Sequence, residues 1–370
     1  MGRRWWTRPG LMGRAARVPL LPVGLPAGRS LSRPPQPAEA RSHPVTLGGA
    51  LTRRRLTVLA GGVGAARFLS GLVEAAPAAE ITVIGNTADD FEVHGLHVSP
   101  DLDTVAYTLA GHADAQRGWG LAGESWTTLR QLRRLGGETW FQLGDRDLAT
   151  HLRRTELLRA GFTLSAATSE LCERLGVPVR LLPMTDDRVE SRVLTEDGRD
   201  LHLQEFLVRE AARPAIREVV IRGVDQARAP QEVLRALASA DAILFAPSNP
   251  VISIGPILAV PGVTEAVRAH PLVAAVSPIV AGRAIKGPAV EMLRSRGLDP
   301  SALGVAQAYR GLAHLLVLDE ADWELSARVA DLGLRVHTCP TLMVDRAARR
   351  RLAEEVLASL APLAGAGSRP

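Results

Sequence analysis

Four aspartates fall within fifteen residues, Asp89 and Asp90 in the run NTADD and Asp101 and Asp103 in SPDLDT. Carboxylates gathered on connecting segments are poor core material and good ligands for a hard cation. The same residue types also cap helices and solvate turns. Upstream stands the turn Gly61-Gly62-Val63-Gly64. Glycine lets backbone amides approach an anion closely, and a following helix N-terminus adds partial positive charge, so a phosphate is the natural guest. Taken alone, GGVG also fits a merely structural turn. In GDRDLATHL (144–152), Arg146 and His151 sit beside Asp145 and Asp147. At the start of a helix this set suits an anionic group, and equally a plain charged first turn. Two further runs, SNPVISIGP (248–256) and SPIVAGRAIKGPA (277–289), are dense in Ser, Asn, Gly and Pro. That is the composition of loops that bind a ligand through backbone atoms. Lys286, in the second run, is the only lysine in the chain.

These groups need a frame. Residues 56–60 form a short apolar run that stops at the glycine turn, the pattern of a central parallel strand. A helix over 65–74 carries Phe68, Leu69, Leu72 and Val73 on one face. A second buried strand at 81–84 completes a β-α-β unit. NTADD then lies at the C-terminal end of that strand, where open α/β sheets place their ligands. Further strands at 216–221, 242–245, 273–277 and 315–318 put SNP and SPIV at strand ends as well. The predicted fold is α/β and Rossmann-like, a mostly parallel sheet with helices on both faces plus a smaller helical and hairpin part. The core spans about 56–110 and 215–345, with an insertion at 111–214. Within the insertion, 107–148 reads as largely helical and aromatic, with Trp119, Trp126 and Trp140. A helix pair follows at 150–175, and 179–208 reads as a hairpin pair turning at Asp197-Gly198. A last helix covers 347–360, and 361–370 should fray.

The fingerprint of a dinucleotide site is not met. Arg67 stands where a third glycine is wanted and Asn86 where an acid ends the second strand, and a P-loop lysine is missing. A nicotinamide-dependent dehydrogenase is disfavoured on that ground. With 46% apolar residues, the 370-residue chain can bury a large core. The net charge of +5 is misleading, because residues 1–55 hold eleven arginines and one acid, Glu39. The remainder is net negative by five and lacks a basic stripe interleaved with aromatics, which argues against nucleic acid. Residues 1–55 read as a disordered Arg/Pro-rich extension, either a targeting segment, a basic tail or, preferred, sequence upstream of a natural domain start at Leu56. Its prolines spoil the amphipathic helix of a targeting segment. No apolar run approaches the roughly 18 residues needed to span a bilayer. Two cysteines, Cys172 and Cys339, suit a reducing compartment. A cytoplasmic protein is expected.

Read in order, GGVGAARFL, GNTADD, SPDLDT, GDRDLATHL, PMTDDRVES, PSNPVISIGPIL and SPIVAGRAIKGPA resemble the 2-phospho-L-lactate transferase family. Its actinobacterial members are also described as phosphoenolpyruvate transferases. The resemblance covers about 56–360. It implies a step in making the deazaflavin coenzyme F-420. A phospholactyl or phosphoenolpyruvyl unit passes from a guanosine diphosphate conjugate to the hydroxyl of the deazaflavin Fo, with release of GMP. It also implies Mg2+ as cofactor and a homodimer. On the residues, Gly61, Gly62, Val63, Gly64, Asn86 and Thr87, with Ser248, Asn249 and Pro250, would hold the guanosine diphosphate portion. Asp89 and Asp103 would carry the metal or orient the attacking hydroxyl, with Asp90 and Asp101 as alternates. Arg146 would face the phosphates or Fo, and Trp119 is a candidate stacking face. Attack by an alcohol on phosphorus needs positioning and charge neutralisation more than a covalent nucleophile, so no phospho-enzyme is expected. Two positions depart from the family pattern: Ala65 replaces a glycine common in relatives, and Val290 an acid after GPA. The rival is a nucleotide- or sugar-nucleotide-binding regulatory protein of the gluconeogenesis-factor group, which shares a GG-turn and a TADD-like motif. FEVHGLHVSPDLDT and GDRDLATH favour the transferase. Which three-carbon acid is moved depends on a few pocket side chains.

Overall fold

The computed structural model describes residues 54–364, and the expectations for 1–53 and 365–370 lie outside it. In β1 (Arg55–Ala60), Leu56, Val58 and Ala60 enter one hydrophobic cluster and Leu59 enters another. Side chains alternate across a strand, so burial of both sets means that both faces are covered. A turn leads into α1 (Gly62–Ala75), which places Phe68, Leu69 and Leu72 in the second cluster, and β2 (Glu80–Gly85) follows. β1 and β2 pair in parallel, Leu56 opposite Ile81 and Leu59 opposite Ile84. With β3 (Arg180–Pro183), β4 (Ala242–Phe245), β5 (Val273–Val276), β6 (Leu315–Asp319) and β7 (Arg335–Cys339) they make a seven-stranded sheet. Its order is β7-β6-β5-β4-β1-β2-β3, parallel at every pairing. The chain leaves β1 towards β2 on one side and later returns to β4 on the other. That reversal opens a crevice at the C-terminal ends of β1 and β4.

Around this sheet pack α2 (Pro100–Leu109), α3 (Asp145–Arg159), α4 (Leu164–Leu175) and α5 (Arg346–Ala364). α5 lies along α1, α2 touches both α1 and α4, and α3 touches α4. Local signals fix α4 well. The Thr163 hydroxyl accepts the Ala166 amide at its start, and Gly176 ends it in the left-handed conformation.

Three expectations change. Ile216–Arg222, read as a strand of the parallel sheet, belongs to a three-stranded antiparallel sheet with Glu190–Thr195 and Asp200–His202. Arg217 and Arg222 face water there, which an antiparallel sheet tolerates and a doubly covered parallel one does not. The run Leu181-Leu182-Pro183, placed with the hairpins, instead forms β3 beside β2. Within 110–144 the helix expected is confined to Thr127–Arg134. Gly111, Gly118, Gly120, Gly123 and Gly136 all take positive φ, which repeatedly breaks helical winding. Among the described residues no single helix is long and apolar enough to cross a membrane.

Gly64 marks how closely α1 approaches the segment after β4. A Cβ there would lie 2.4 Å from the Pro247 carbonyl oxygen, a backbone atom with little freedom to retreat. Gly64→Ala is expected to destabilise the fold by about 1–3 kcal/mol, read as a lower midpoint in urea denaturation.

Candidate active site

The crevice is tied across the sheet by Ser248. Its Oγ donates to the Gly61 carbonyl at 2.9 Å and accepts the Gly61 amide at 3.3 Å. Asn249 then accepts the amides of Val251 and Ile252 and starts the wide π-helical turn Pro250–Ile254. Gly61 has extended backbone that any residue adopts, yet a Cβ there would stand 2.5 Å from Asp101 Oδ2 and 2.8 Å from Ser253 Cβ. Glycine is needed to let Asp101 lie against the turn.

Asp101 and Asp103 come from the first turn of α2, which opens with Pro100. Both residue types suit that position, since proline there loses no hydrogen bond and acids meet the helix dipole. Asn86 closes the gap between strands and helix. Its Nδ2 stands 2.9 Å from Asp101 Oδ2, 3.2 Å from Asp89 Oδ1 and 3.3 Å from the Ile252 carbonyl. Gln204 Nε2 donates to the other oxygen of Asp89 at 2.8 Å. Burial, with Asp101 and Asp90 nearby, holds Asp89 well above the usual carboxylate range. Asp101 is pushed to about 7 by burial, with Asn86 opposing the rise and Asp90 adding to it. Asp90 also sits above its ordinary value through burial, eased by His97 and Ser99. It accepts Ser99 Oγ at 2.7 Å and lies 3.0 Å from His97 Nε2.

Asp103 is a different kind of carboxylate. Both its oxygens are taken by the guanidinium of Arg154, one of them at 3.0 Å and the other in a short contact. Arg154 is only 2% exposed, and although burial opposes its charge, Asp103 together with Tyr107 and Asp90 raises its pKa. Asp147, His151 and Arg154 follow at i, i+4 and i+7 on α3, hence on one helix face. His151 Nε2 stands 3.3 Å from Asp147 Oδ1, which accepts Tyr107 OH at 2.6 Å. Burial would raise Asp147, but the hydrogen bond and charge of His151 together with Tyr107 bring it below the ordinary value.

These groups border a cavity of about 890 Å³. Of the residues singled out in sequence, Gly61, Gly62, Val63, Gly64, Asp89, Asp101, Asp103, Ser248, Asn249 and Trp119 line it. Asn86, Thr87, Asp90 and Pro250 are buried but do not line it. Arg146 is directed elsewhere, its Nη1 donating to the Ala122 carbonyl at 2.7 Å. Trp119 packs edge-on to Trp126, with the Arg117 guanidinium 5.4 Å from its ring centre. The wall also includes Gln204 and an apolar set, Trp140, Phe141, Leu203, Leu207 and Val208, which the sequence did not single out for the site.

The aspartates expected to carry the metal, Asp89 and Asp103 with Asp90 and Asp101 as alternates, have different partners. Among the described residues no group of three His, Cys, Asp or Glu side chains is arranged to hold an ion. Asp103 is committed to Arg154 and Asp90 to Ser99 and His97. Asp89 and Asp101 remain, joined through Asn86 and facing the cavity. Two carboxylates beside a ligand-sized space fit Mg2+, which takes one or two protein carboxylates and fills its other positions with water and phosphate oxygens.

A parallel α/β sheet with an acid-lined cavity at its switch point defines a Rossmann-type ligand-binding protein. The profile of "2-phospho-L-lactate transferase CofD" matches residues 56–347. The chain belongs to this transferase family, as its motifs led one to expect. A phosphoenolpyruvate transferase of Streptomyces coelicolor is 48% identical over 309 residues, covering 82% of this chain and 97% of the relative. A 2-phospho-L-lactate transferase of Methanosarcina acetivorans is 39% identical over 302 residues, covering 82% and 98%. Among solved structures, a member of the UPF0052 family from Bacillus halodurans aligns with a TM-score of 0.56 at 18% identity, over 84% of this chain and 100% of that one. That likeness concerns the fold alone.

Two expectations follow. Arg154→Ala removes both hydrogen bonds to buried Asp103, leaving it only His151 Nδ1 at 3.7 Å, and should destabilise by about 3–5 kcal/mol. The double variant Arg154→Ala/Asp103→Asn should lose less than the two single losses added together, which urea unfolding of all four proteins would test. For the same reason Asp103→Asn alone cannot leave stability untouched. The second concerns pH. The ordinary Asp value is 3.8 and the folded value of Asp101 is about 7, so between them the folded state binds the extra proton. Stability without added metal should therefore fall as pH rises from about 4 to 7, and Asp101→Asn should flatten that fall when unfolding is followed across the range.

Proposed function

We propose that the chain transfers a phosphoenolpyruvyl or 2-phospholactyl group from a guanosine diphosphate conjugate to the hydroxyl of the deazaflavin Fo, releasing GMP, in coenzyme F-420 biosynthesis. The observation that carries it is one cavity joining a glycine turn and two buried, unneutralised carboxylates to an apolar aromatic wall. Such a space suits a donor rich in phosphate beside a planar, weakly polar acceptor. Relatives named for the two transfers, at 48% and 39% identity, support the same chemistry.

The glycine turn at the N-terminus of α1 and the Ser248-Asn249 loop would hold the donor's diphosphate. Trp140, Phe141, Leu203, Leu207 and Val208 would take the deazaflavin ring. Asp103, fixed by Arg154, would accept a hydrogen bond from the attacking hydroxyl and aim its oxygen at phosphorus. Asp89 and Asp101 would hold Mg2+, which supplies neutralisation of charge on the transferring phosphoryl oxygens. A bond then forms between the alcohol oxygen and phosphorus, the bond from phosphorus to the GMP oxygen breaks, and the hydroxyl proton is lost. Arg146 could contribute only after releasing the Ala122 carbonyl, a single charge-assisted hydrogen bond.

The test is incubation with Fo, Mg2+ and the guanylyl conjugates of phosphoenolpyruvate and 2-phospholactate, with products read by mass spectrometry. The deazaflavin phosphodiester and equimolar GMP are expected, and the preferred conjugate identifies the acid. Asp89→Asn and Asp101→Asn should each cost about 100-fold or more in turnover. Binding of Fo or GDP without any product from either conjugate would refute the transferase assignment.

A further inference from the structure

Two cations at the cavity stand without an anion. Arg67 projects from α1 one turn beyond Val63, and Lys286 from the exposed loop after Arg283–Ala284. Both line the cavity. Gly118, from a third segment, brings them together. A Cβ on Gly118 would lie 3.6 Å from Arg67 Nη2, 4.0 Å from Lys286 Nζ and 3.8 Å from Val63 Cγ1. Other cationic side chains of the wall are paired within the protein, Arg117 with Asp114 for example. Among the described residues, neither the Arg67 guanidinium nor the Lys286 ammonium has an ion pair or hydrogen bond.

The acids of the same cavity do not neutralise them. Asp89 and Asp101 are bonded to the side-chain amides of Asn86 and Gln204 and not to either cation. Partial burial and the charge of Arg67 hold the Lys286 ammonium below the usual lysine range, and Arg349 is lowered by burial and by Arg67 as well. Arg67 and Lys286 thus bring like charges together on either side of Gly118. An anion seated between them would offset their repulsion.

We infer that Arg67 and Lys286 form an anion subsite that grips a second anionic group of the nucleotide donor, beyond the one met by the glycine turn. This rests on the transferase reading above. The group is either a phosphate of the guanosine diphosphate moiety or the carboxylate of the three-carbon acid, since both present oxygens that a guanidinium and an ammonium recognise. A grip on the phosphate would spread the charge that builds on departing GMP, whereas a grip on the carboxylate would select an acid over a simple phosphate ester.

The test compares the full chain with Arg67→Gln and Lys286→Gln by titration calorimetry, using GDP, guanylyl phosphoenolpyruvate and inorganic diphosphate as probes. Each variant should bind weaker by about ten- to hundredfold. Loss with GDP and diphosphate assigns the subsite to phosphate, and loss confined to the conjugate assigns it to the carboxylate. Melting temperatures of both variants should match or exceed that of the parent, because removing one of two like charges relieves repulsion. A purely structural pair would lower them. Unchanged affinity for all three probes in both variants overturns the subsite while leaving the transferase reading intact. If the parent binds neither GDP nor the conjugate, the transferase reading fails, and the diphosphate titration then decides the subsite by itself.

Discussion

One side-chain amide holds the site in register. Asn86 reaches Asp89, Asp101 and the Ile252 carbonyl, and so joins the end of β2, the first turn of α2 and the winding after β4. Carboxylates this deeply buried are costly unless donors meet them. Asn86 and Gln204 supply those donors without cancelling the charge. The pair is therefore kept in place and kept electrostatically dissatisfied at once. A positively charged guest gains from both conditions, because it finds fixed ligands that no protein cation has already claimed.

The cavity divides its acids by what stands behind them. Asp103 and Asp147 are backed by Arg154 and by His151, which fix their oxygens where they can orient a hydroxyl. Asp89 and Asp101 have only amides behind them. Residues of one type, fourteen positions apart at most among Asp89, Asp101 and Asp103, thus acquire different chemistry from their partners and not from their sequence motif. The free cations, Arg67 and Lys286, carry the opposite charge to the acids in the same wall, and the wall is polarised in consequence.

Much of this was legible because the informative segments are short and self-explanatory. An apolar run ending in GGVG has few alternatives to a central strand and a turn, and Ser248-Asn249 lies at the end of another such run. The acids near strand ends were found for the same reason. Their division of labour was not visible, since Arg154 reaches Asp103 across fifty-one positions. The spacing of Asp147, His151 and Arg154 on one helix face was a signal that could have pointed to a buried polar network. Gln204 gives no local signal, lying at the end of a short antiparallel hairpin that only tertiary packing brings over Asp89. Arg67 was read as a missing glycine, when its charge is the informative property. The misplaced strand at Ile216–Arg222 shows the limit of period-two reading, because alternation marks a strand without choosing its sheet.

The hydrogen bonds between Ser248 and Gly61 bridge 187 positions of the chain. A contact so distant in sequence closes late, since the loop entropy must be met before the contact gives anything back. During synthesis the glycine turn and the acids emerge first and must wait for β4 to leave the ribosome before a crevice exists between them. The nascent protein thus exposes the edge of β1 and its apolar flanks for the time taken to translate nearly two hundred residues. The crossover that creates the binding site also sets how long that apolar surface waits for cover.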